Sequence, residues 1–213
     1  MGSKTNVEKC TGLITGLAIA EMLSTGQLQI KVRDSSETKP HYTDNAVLGP
    51  VTRTLLDQPI SAFQRMLDAT LGLQELLYLM AMETLRPQLL SDLLSRLHPL
   101  PAMEQSLHRI GHVIGWGSEL RAIKHIRASG IDDDALPLSL YYMLRYDEVP
   151  IEGVMMAAQT AESRRIAHVV GMAMGLQHGI HVFPQVWRDG LPQYDLLIEI
   201  ATANSDHWID ILS

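Results

Sequence analysis

Apolar residues recur at three- and four-residue spacing along most of the chain, which is the pattern of amphipathic helices. The clearest example is residues 8–25, where Leu13, Ile14, Leu17, Ala18 and Met22 recur at this spacing. Gly26 follows directly and supplies a plausible helix stop. The sequence therefore predicts a long first helix that packs against the rest of the protein.

A different pattern follows this helix. Residues 27–33 alternate polar and apolar side chains, as a strand does. Because a lone strand is only weakly stable, we expect an extended segment at this place. Residues 34–41 are polar and include Pro40, so we expect an exposed loop there.

The remainder of the chain again indicates helices, separated by proline, glycine and acidic residues. One helix is predicted from a cap at Thr43 or Asp44 to Leu56, and a long one over 102–128 has a break near Gly115 and Gly117. Further helices are predicted for 61–84, 150–159 and 162–179, and after Pro184 and Pro192. Residues 1–213 contain no repeat or long linker. We therefore predict a single all-α domain, a compact multi-helix bundle.

Composition narrows the class of protein. The 213 residues carry 17 Lys and Arg against 24 Asp and Glu, a net charge of −7, which argues against a nucleic-acid binder. Only 5% of residues are aromatic, which favours helix packing over a sheet sandwich. A single cysteine, Cys10, excludes an internal disulfide. The apolar stretch Leu13–Leu23 is too short and interrupted to span a bilayer, so we expect a cytoplasmic protein without membrane contact.

Clusters of histidine and of acidic residues are candidate sites. His108 and His112 have the i, i+4 spacing of zinc ligands, but no Glu follows the first and no third ligand is near, so surface or packing histidines are favoured. His178 and His181 lie near a predicted helix end, where a cation is favourable. The triplet Asp132–Asp134 resembles an acidic cluster, yet helix capping explains it better. The methionine pairs Met80/Met82, Met155/Met156 and Met172/Met174 are expected to fill the core.

Three segments, in this order, carry a family resemblance: Thr11–Leu23, His41–Val47, and Ala161–Gly179 followed by Phe183, Pro184 and Trp187. Together they resemble the ADP-ribosylglycohydrolase family. That family is all-helical and begins with a helix patterned G-x-L-x-G-x-A-x-G-D-A-L-G, followed by T-D-D-T. Later, G-G-D-T-D-T leads into a helix patterned A-A-I-x-G-A-x-x-G and then I-P-x-x-W. The matching small residues and frame positions are Gly12, Gly16, Ala18, Gly171, Gly175, Gly179, Pro184 and Trp187.

The resemblance implies a site with two magnesium ions. In the family, the Thr and both Asp of the first motif and the Asp, Asp and final Thr of the second hold these ions. The ions orient the ribose hydroxyls and a water for cleavage of the glycosidic bond to ADP-ribose. In this chain Thr43 and Asp44 match the first motif, but Asn45 replaces the second Asp and Ala46 the Thr. Glu21 stands where the first helix of the family has Asp.

The second motif departs further. Glu162 replaces the first Asp, Ser163 the Thr, Arg164 the second Asp and Arg165 the final Thr. A shift of one residue cannot restore the motif, because residues 157–168 contain no Asp.

Two carboxylates and two arginines would then share a locus where the family has four carboxylates. The carboxylates are those of Asp44 and Glu162, and the arginines are Arg164 and Arg165. A guanidinium about 4 Å from a metal ion repels it by several kcal/mol, and arginine does not deprotonate. We therefore predict that no metal binds and that Arg164 occupies part of the cation space, paired with Asp44 or Glu162.

Three functions remain open. The first is an inactive relative that binds ADP-ribose, a related nucleotide or a protein partner through Glu21, Thr43, Asp44, Asn45, Glu162, Ser163 and Arg164. The second is a hydrolase in which Asp44 or Glu162 acts as a general base without metal. The third is a structural subunit whose interface includes Trp116, Trp187, Trp208 and the methionine pairs.

Overall fold

The protein is built mainly of helices. The computed structural model describes residues 4–33, 37–43, 46–97, 101–159 and 164–213, with backbone alone for 30–33 and 37–41. Within these ranges the elements are α1 Asn6–Ser24, β1 Leu28–Arg33, β2 Glu37–Tyr42, α2 Pro50–Asp57, α3 Pro59–Asp68, α4 Leu73–Ala81, α5 Arg86–Leu97, α6 Pro101–Val113, α7 Glu119–Arg127, α8 Ala135–Arg145, α9 Pro150–Gln159, α10 Arg164–His178, a 3₁₀ turn Ile180–Val182, α11 Gln185–Asp189 and α12 Tyr194–Leu212. The prediction of an all-α fold is confirmed, with one small hairpin added.

Helix α1 forms the centre of the fold. It begins with a capping box, in which Thr5 accepts from the backbone N–H of Glu8 and Glu8 accepts from the backbone N–H of Thr5. Every residue from Lys9 to Met22 is buried. A helix that is buried on all sides is a core helix rather than a surface one. Its most extensive contact is with α10, which also packs on α4, α8 and α9.

Glycines allow α1 and α10 to approach very closely. Gly12 lies against Gly175, and Gly16 lies against Gly171. A Cβ at any of these four positions would overlap the carbonyl oxygen of the facing glycine. The glycine spacing read from the sequence is therefore a helix-packing signal.

The hairpin corrects two expectations. Residues 27–33 do not form an isolated extended segment, because β1 pairs with β2 in antiparallel register from Leu28 opposite Tyr42 to Arg33 opposite Glu37. The predicted loop over 34–41 is wrong for residues 37–41, which form strand. The polar sequence of β2 concealed it, because an edge strand tolerates charge and proline.

Several helix boundaries also differ from the prediction. Helix α2 begins at Pro50, not after Thr43, and its N-cap Gly49 offers no side chain to the first turn. The predicted helix 61–84 is divided into α3 and α4 because Gly72 has a φ of 79°. Helix α5 lies in the proline-punctuated region that was not predicted as helical, and Pro87 is accommodated in its first turn.

The prediction that the acidic triplet caps a helix is confirmed for Asp133, whereas the side chain of the N-cap residue Asp134 makes no capping hydrogen bond. Asp134 is the N-cap residue of α8, and Asp133 Oδ1 accepts a hydrogen bond from the Ala135 N–H at 3.1 Å. Asp134 also forms an ion pair with Arg127 at 2.5 Å. These carboxylates therefore hold the start of α8.

The burial of tryptophan and methionine side chains tests the hypothesis that they form an interface with a partner. Trp187 and Trp208 are buried in the core, and Trp208 stacks on Phe63 with ring centroids 5.2 Å apart. Neither can contribute to a surface, so that part of the hypothesis is wrong, whereas Trp116 is 39% exposed.

The predicted core-filling role of the methionine pairs is confirmed for Met80, Met172 and Met174, but Met82 is exposed. No helix within the described ranges is long and apolar enough to cross a membrane.

Candidate functional site

The described residues of the predicted site are Glu21 in α1, Thr43 after β2 and Arg164 in the first turn of α10. Asp44, Asn45, Glu162 and Ser163 lie outside the described residues. Thr43 follows β2, where its N–H donates to the Gln27 carbonyl at 3.0 Å and its own carbonyl accepts from the Ala46 N–H at 2.9 Å. Thr43 is therefore fixed in a turn that leads from the hairpin towards α2.

Glu21 is a buried carboxylate that caps α2 from a neighbouring helix. It is 2% exposed. Oε1 accepts from the Val51 N–H at 2.9 Å, while Oε2 accepts from the Thr52 N–H at 2.9 Å and the Thr52 hydroxyl at 2.7 Å. Because Gly49 supplies no cap, Glu21 satisfies the free amides at this helix start and places its charge at the positive end of the dipole.

The two arginines at the start of α10 are both exposed, and the structure shows an ion pair for the second. Arg165 Nη1 donates to Asp133 Oδ2 at 3.1 Å and to the Ala69 carbonyl at 3.4 Å. This pair joins α10 to the cap of α8. The predicted pairing of Arg164 with Asp44 or Glu162 falls outside the described residues, so it stays a prediction.

A cavity of about 150 Å³ lies next to this first turn. Its walls come from α2, from the α3–α4 connection and from α10, and they are formed by Val51, Met66, Ala69, Thr70, Leu73, Arg165, His168, Val169 and Met172. A second cavity, of about 200 Å³, shares Val51, Met66 and Ala69 with the first and is also lined by Arg65. Both are mainly apolar with a cationic side chain on the wall, which suits a small organic ligand.

His168 is the functional candidate that sequence reasoning missed. Its Nε2 is buried and has no hydrogen-bond partner within the described part of the chain. Burial lowers the pKa of the imidazole, an effect that the nearby Glu21 carboxylate opposes and the Arg164 guanidinium reinforces. The only signal in the sequence was the position of this histidine among the apolar residues of the predicted helix 162–179. A histidine in such a position is more often a packing residue than a functional one.

The other histidines occupy separate places. His108 and His112 lie on the exposed side of α6, where His108 Nε2 is 3.7 Å from a Glu104 carboxylate oxygen. The His112 and His125 ring centroids are 6.5 Å apart. No group of three or more metal-ligating side chains occurs within the described ranges. His178 ends α10, and its buried Nε2 has no hydrogen-bond partner among the described residues.

The fold and the sequence pattern together define the class of protein. An all-helical domain whose glycine-lined helices α1 and α10 pack together, with a polar segment leading to α2, has the architecture expected from the resemblance to ADP-ribosylglycohydrolases. The sequence profile of ADP-ribosylglycohydrolases matches residues 51–210, 160 of the 213 residues, so the chain belongs to this family. Neither the curated proteins nor the solved structures provide a match. The profile match includes the third resembling segment and the central region, while the first two segments precede it.

Proposed function

We propose that this member of the family has lost the dinuclear magnesium site and the hydrolase activity and acts as a binding protein. The observation that carries the proposal is the chemistry of the donor set. Asp44 and Glu162 are the acidic residues that the two motifs retain, and Arg164 and Arg165 follow Glu162 closely. Magnesium requires hard oxygen ligands and excess negative charge, so this set does not fit two magnesium ions.

The same residues favour an anion. The first turn of a helix presents free N–H groups and the positive end of the helix dipole. Arg164 and Arg165 occupy the first turn of α10, and Arg165 is anchored by Asp133. An arginine beside a helix start is a typical phosphate partner, because its planar donors match phosphate oxygens.

ADP-ribose or a related nucleotide is therefore the ligand we propose, with its diphosphate at the start of α10. Glu21, Thr43, Asp44, Asn45, Glu162, Ser163 and Arg164 are the proposed ligand-binding residues. The hydrogen bonds described for the Glu21 carboxylate all come from α2, which supports a role for Glu21 in shaping the site rather than in holding a metal ion. A protein partner and a cytoplasmic location stay predictions.

Calorimetry tests the binding function. We expect ADP-ribose to bind without added Mg²⁺, and we expect Arg164→Ala to weaken binding by about tenfold or more, since a charged hydrogen bond contributes about 1.5–3 kcal/mol. Arg121→Ala, which changes an exposed arginine on α7, is the matched control and should leave the affinity unchanged. Equal affinity in both variants would contradict the proposed anion site.

Measurements of metal binding and of hydrolysis test the proposed loss of the magnesium site and of the hydrolase activity. Titration with Mg²⁺ and Mn²⁺ should give no stoichiometric binding, and two bound ions would overturn the metal-free proposal. Incubation with Arg-, Ser- and nucleic-acid-linked ADP-ribose should release none. Release that Asp44→Ala or Glu162→Ala abolishes would establish instead the metal-independent hydrolase.

A further inference from the structure

An exposed tryptophan lies in the turn between α6 and α7. Trp116 is 39% exposed, and its ring packs at an angle against the His125 ring, with the two centroids 5.2 Å apart. Leu120, at the start of α7, is 79% exposed. Tryptophan is enriched at the centres of protein interfaces, where it often contributes much of the binding energy. Two large apolar side chains therefore face solvent at the start of α7.

Three glycines within five residues of Trp116 are not required by the packing of the fold. Every other glycine in the described part of the chain either has a positive φ or lies where an added Cβ would overlap a neighbouring atom. Gly111, Gly115 and Gly117 have no positive φ, and an added Cβ would meet no other part of the protein within 4 Å. Glycine also permits another backbone or a ligand to approach closely. These glycines leave room for such an approach beside Trp116.

The turn is held firmly by α8. Arg145 Nη1 donates a hydrogen bond to the Trp116 carbonyl at 2.7 Å. The Glu119 carboxylate accepts hydrogen bonds from the Tyr142 hydroxyl at 3.1 Å and from the Tyr146 hydroxyl at 2.8 Å. A surface that is already ordered loses less conformational entropy when it binds. Trp116 is therefore held in place before any partner arrives.

The exposed side of α7 is positively charged, although the whole chain has a net charge of −7. Arg121 and Lys124 are exposed, and neither forms an ion pair with the described residues. Arg127 is paired with Asp134, and the Glu119 carboxylate is occupied by the two tyrosines of α8. Two unpaired cations therefore lie on the same helix as the exposed leucine, next to the tryptophan.

We propose that the Trp116 face, formed by Trp116, Leu120, Arg121 and Lys124, is a docking surface for an acidic segment of a partner protein. Carboxylates of the segment pair with the two cations, an apolar side chain contacts Trp116 and Leu120, and the backbone approaches at the glycines. Nucleic acid and anionic bilayers fit less well, because binding to them requires more basic residues than two on an acidic chain. The Trp116 face lies on other helices than the proposed nucleotide site and does not depend on it.

Fluorescence anisotropy with a labelled peptide of repeated Glu-Glu-Leu, added to the full chain at low ionic strength, tests the proposal. We expect this peptide to bind about tenfold or more tightly than a Gln-Gln-Leu peptide. It should also protect Trp116 from quenching by acrylamide, to which the buried Trp187 and Trp208 are inaccessible. Equal affinity for the two peptides, or quenching that the acidic peptide leaves unaltered, would overturn the proposal. Oligothymidylate that binds as tightly as the acidic peptide would assign the face to nucleic acid and overturn it as well.

Substitutions locate the binding surface. Trp116→Ala, and Arg121→Glu combined with Lys124→Glu, should each weaken binding of the acidic peptide by about tenfold or more, because they remove the aromatic anchor or reverse the charge. Gly115→Gln should weaken it similarly by filling the open space, while urea unfolding shows a stable fold.

Arg164→Ala is the matched control, since it changes an exposed arginine on α10. It should leave the affinity for the acidic peptide unchanged, although it weakens ADP-ribose binding, so the two sites are tested independently. Equal losses of peptide affinity in the control and in the charge-reversed variant would overturn the Trp116 face as the docking surface. Full peptide binding by the folded Gly115→Gln variant would also overturn it.

Discussion

Gly12 and Gly175 lie so close together across the α1–α10 contact that neither position has room for a Cβ atom. The added atom would overlap the carbonyl oxygen of the facing glycine in both directions. Backbone atoms cannot move aside as a flexible side chain can, so this contact fixes the distance between the two central helices.

Replacing either glycine with alanine should therefore destabilise the fold. We expect Gly12→Ala and Gly175→Ala each to lower the free energy of unfolding by about 1–3 kcal/mol, the usual cost of overpacking. Urea unfolding followed by circular dichroism measures this. Gly111→Ala is the control, because Gly111 lies in α6 with open space around it and alanine should add about 1 kcal/mol there. Equal effects at Gly12 and Gly111 would contradict the close contact.

The Glu21 carboxylate that caps α2 should contribute to the stability of the fold. Glu21→Gln keeps the shape but replaces one acceptor oxygen with a donor that would face the amide of Val51 or Thr52. We expect a loss of about 1.5–3 kcal/mol in the free energy of unfolding, since these hydrogen bonds are charge-assisted and buried. The control is Glu8→Gln in the exposed capping box of α1, for which a loss of at most about 0.5 kcal/mol is expected. Similar losses at both sites would show that burial of Glu21 adds nothing.

Stability should fall as the pH is lowered, because two partly buried histidines resist protonation in the folded protein. Burial lowers the pKa of His168 and of His178 from the ordinary value of 6.5, with Arg164 and Lys4 respectively acting in the same direction. Glu21 and Asp147 oppose the shifts without reversing them. Between the ordinary and the lowered pKa, the unfolded chain binds more protons than the folded one. The free energy of unfolding therefore decreases as pH falls below about 6.5.

Denaturant unfolding at a series of pH values measures this slope. The double substitution His168→Leu with His178→Leu should flatten the slope between pH 6.5 and 5. His207→Leu, which changes an exposed histidine on α12, is the control and should leave the slope as it is. A double variant with the same slope as the parent protein would show that other groups govern the acid sensitivity.

Tyr42 joins the hairpin to the C-terminal part of the fold. Its hydroxyl donates a hydrogen bond to the Trp187 carbonyl, and burial raises the pKa of the phenol. We expect Tyr42→Phe to lower the free energy of unfolding by about 1 kcal/mol and the melting temperature by about 2–4 °C. Tyr194→Phe is the control, since the Tyr194 hydroxyl makes no hydrogen bond within the described part of the chain. Equal melting temperatures for the two variants would contradict the contribution of this hydrogen bond.

The sequence by itself determined most of the helices and the spacing of the glycines through which α1 and α10 pack. Helical hydrogen bonds join residues four positions apart, so apolar periodicity, prolines and caps predict them locally. This is why α1, α6, α7, α9 and α10 lie close to their predicted ranges. The glycines at 12, 16, 171 and 175 could be recognised by their spacing, and that spacing carried the family resemblance.

Only the tertiary structure decided which side chains serve the candidate site. Arg165 and Asp133 are 32 residues apart, and Glu21 reaches Val51 across 30 residues, so no local pattern predicts either contact. The cavity at His168 likewise exists only where α2, the α3–α4 connection and α10 meet. Such contacts depend on how distant elements pack. The sequence shows arginines at 164 and 165 in the segment that resembles the late motif of the family. Packing determined that Arg165 joins the cap of α8 and that His168, whose Nε2 has no hydrogen-bond partner among the described residues, lines a cavity beside it.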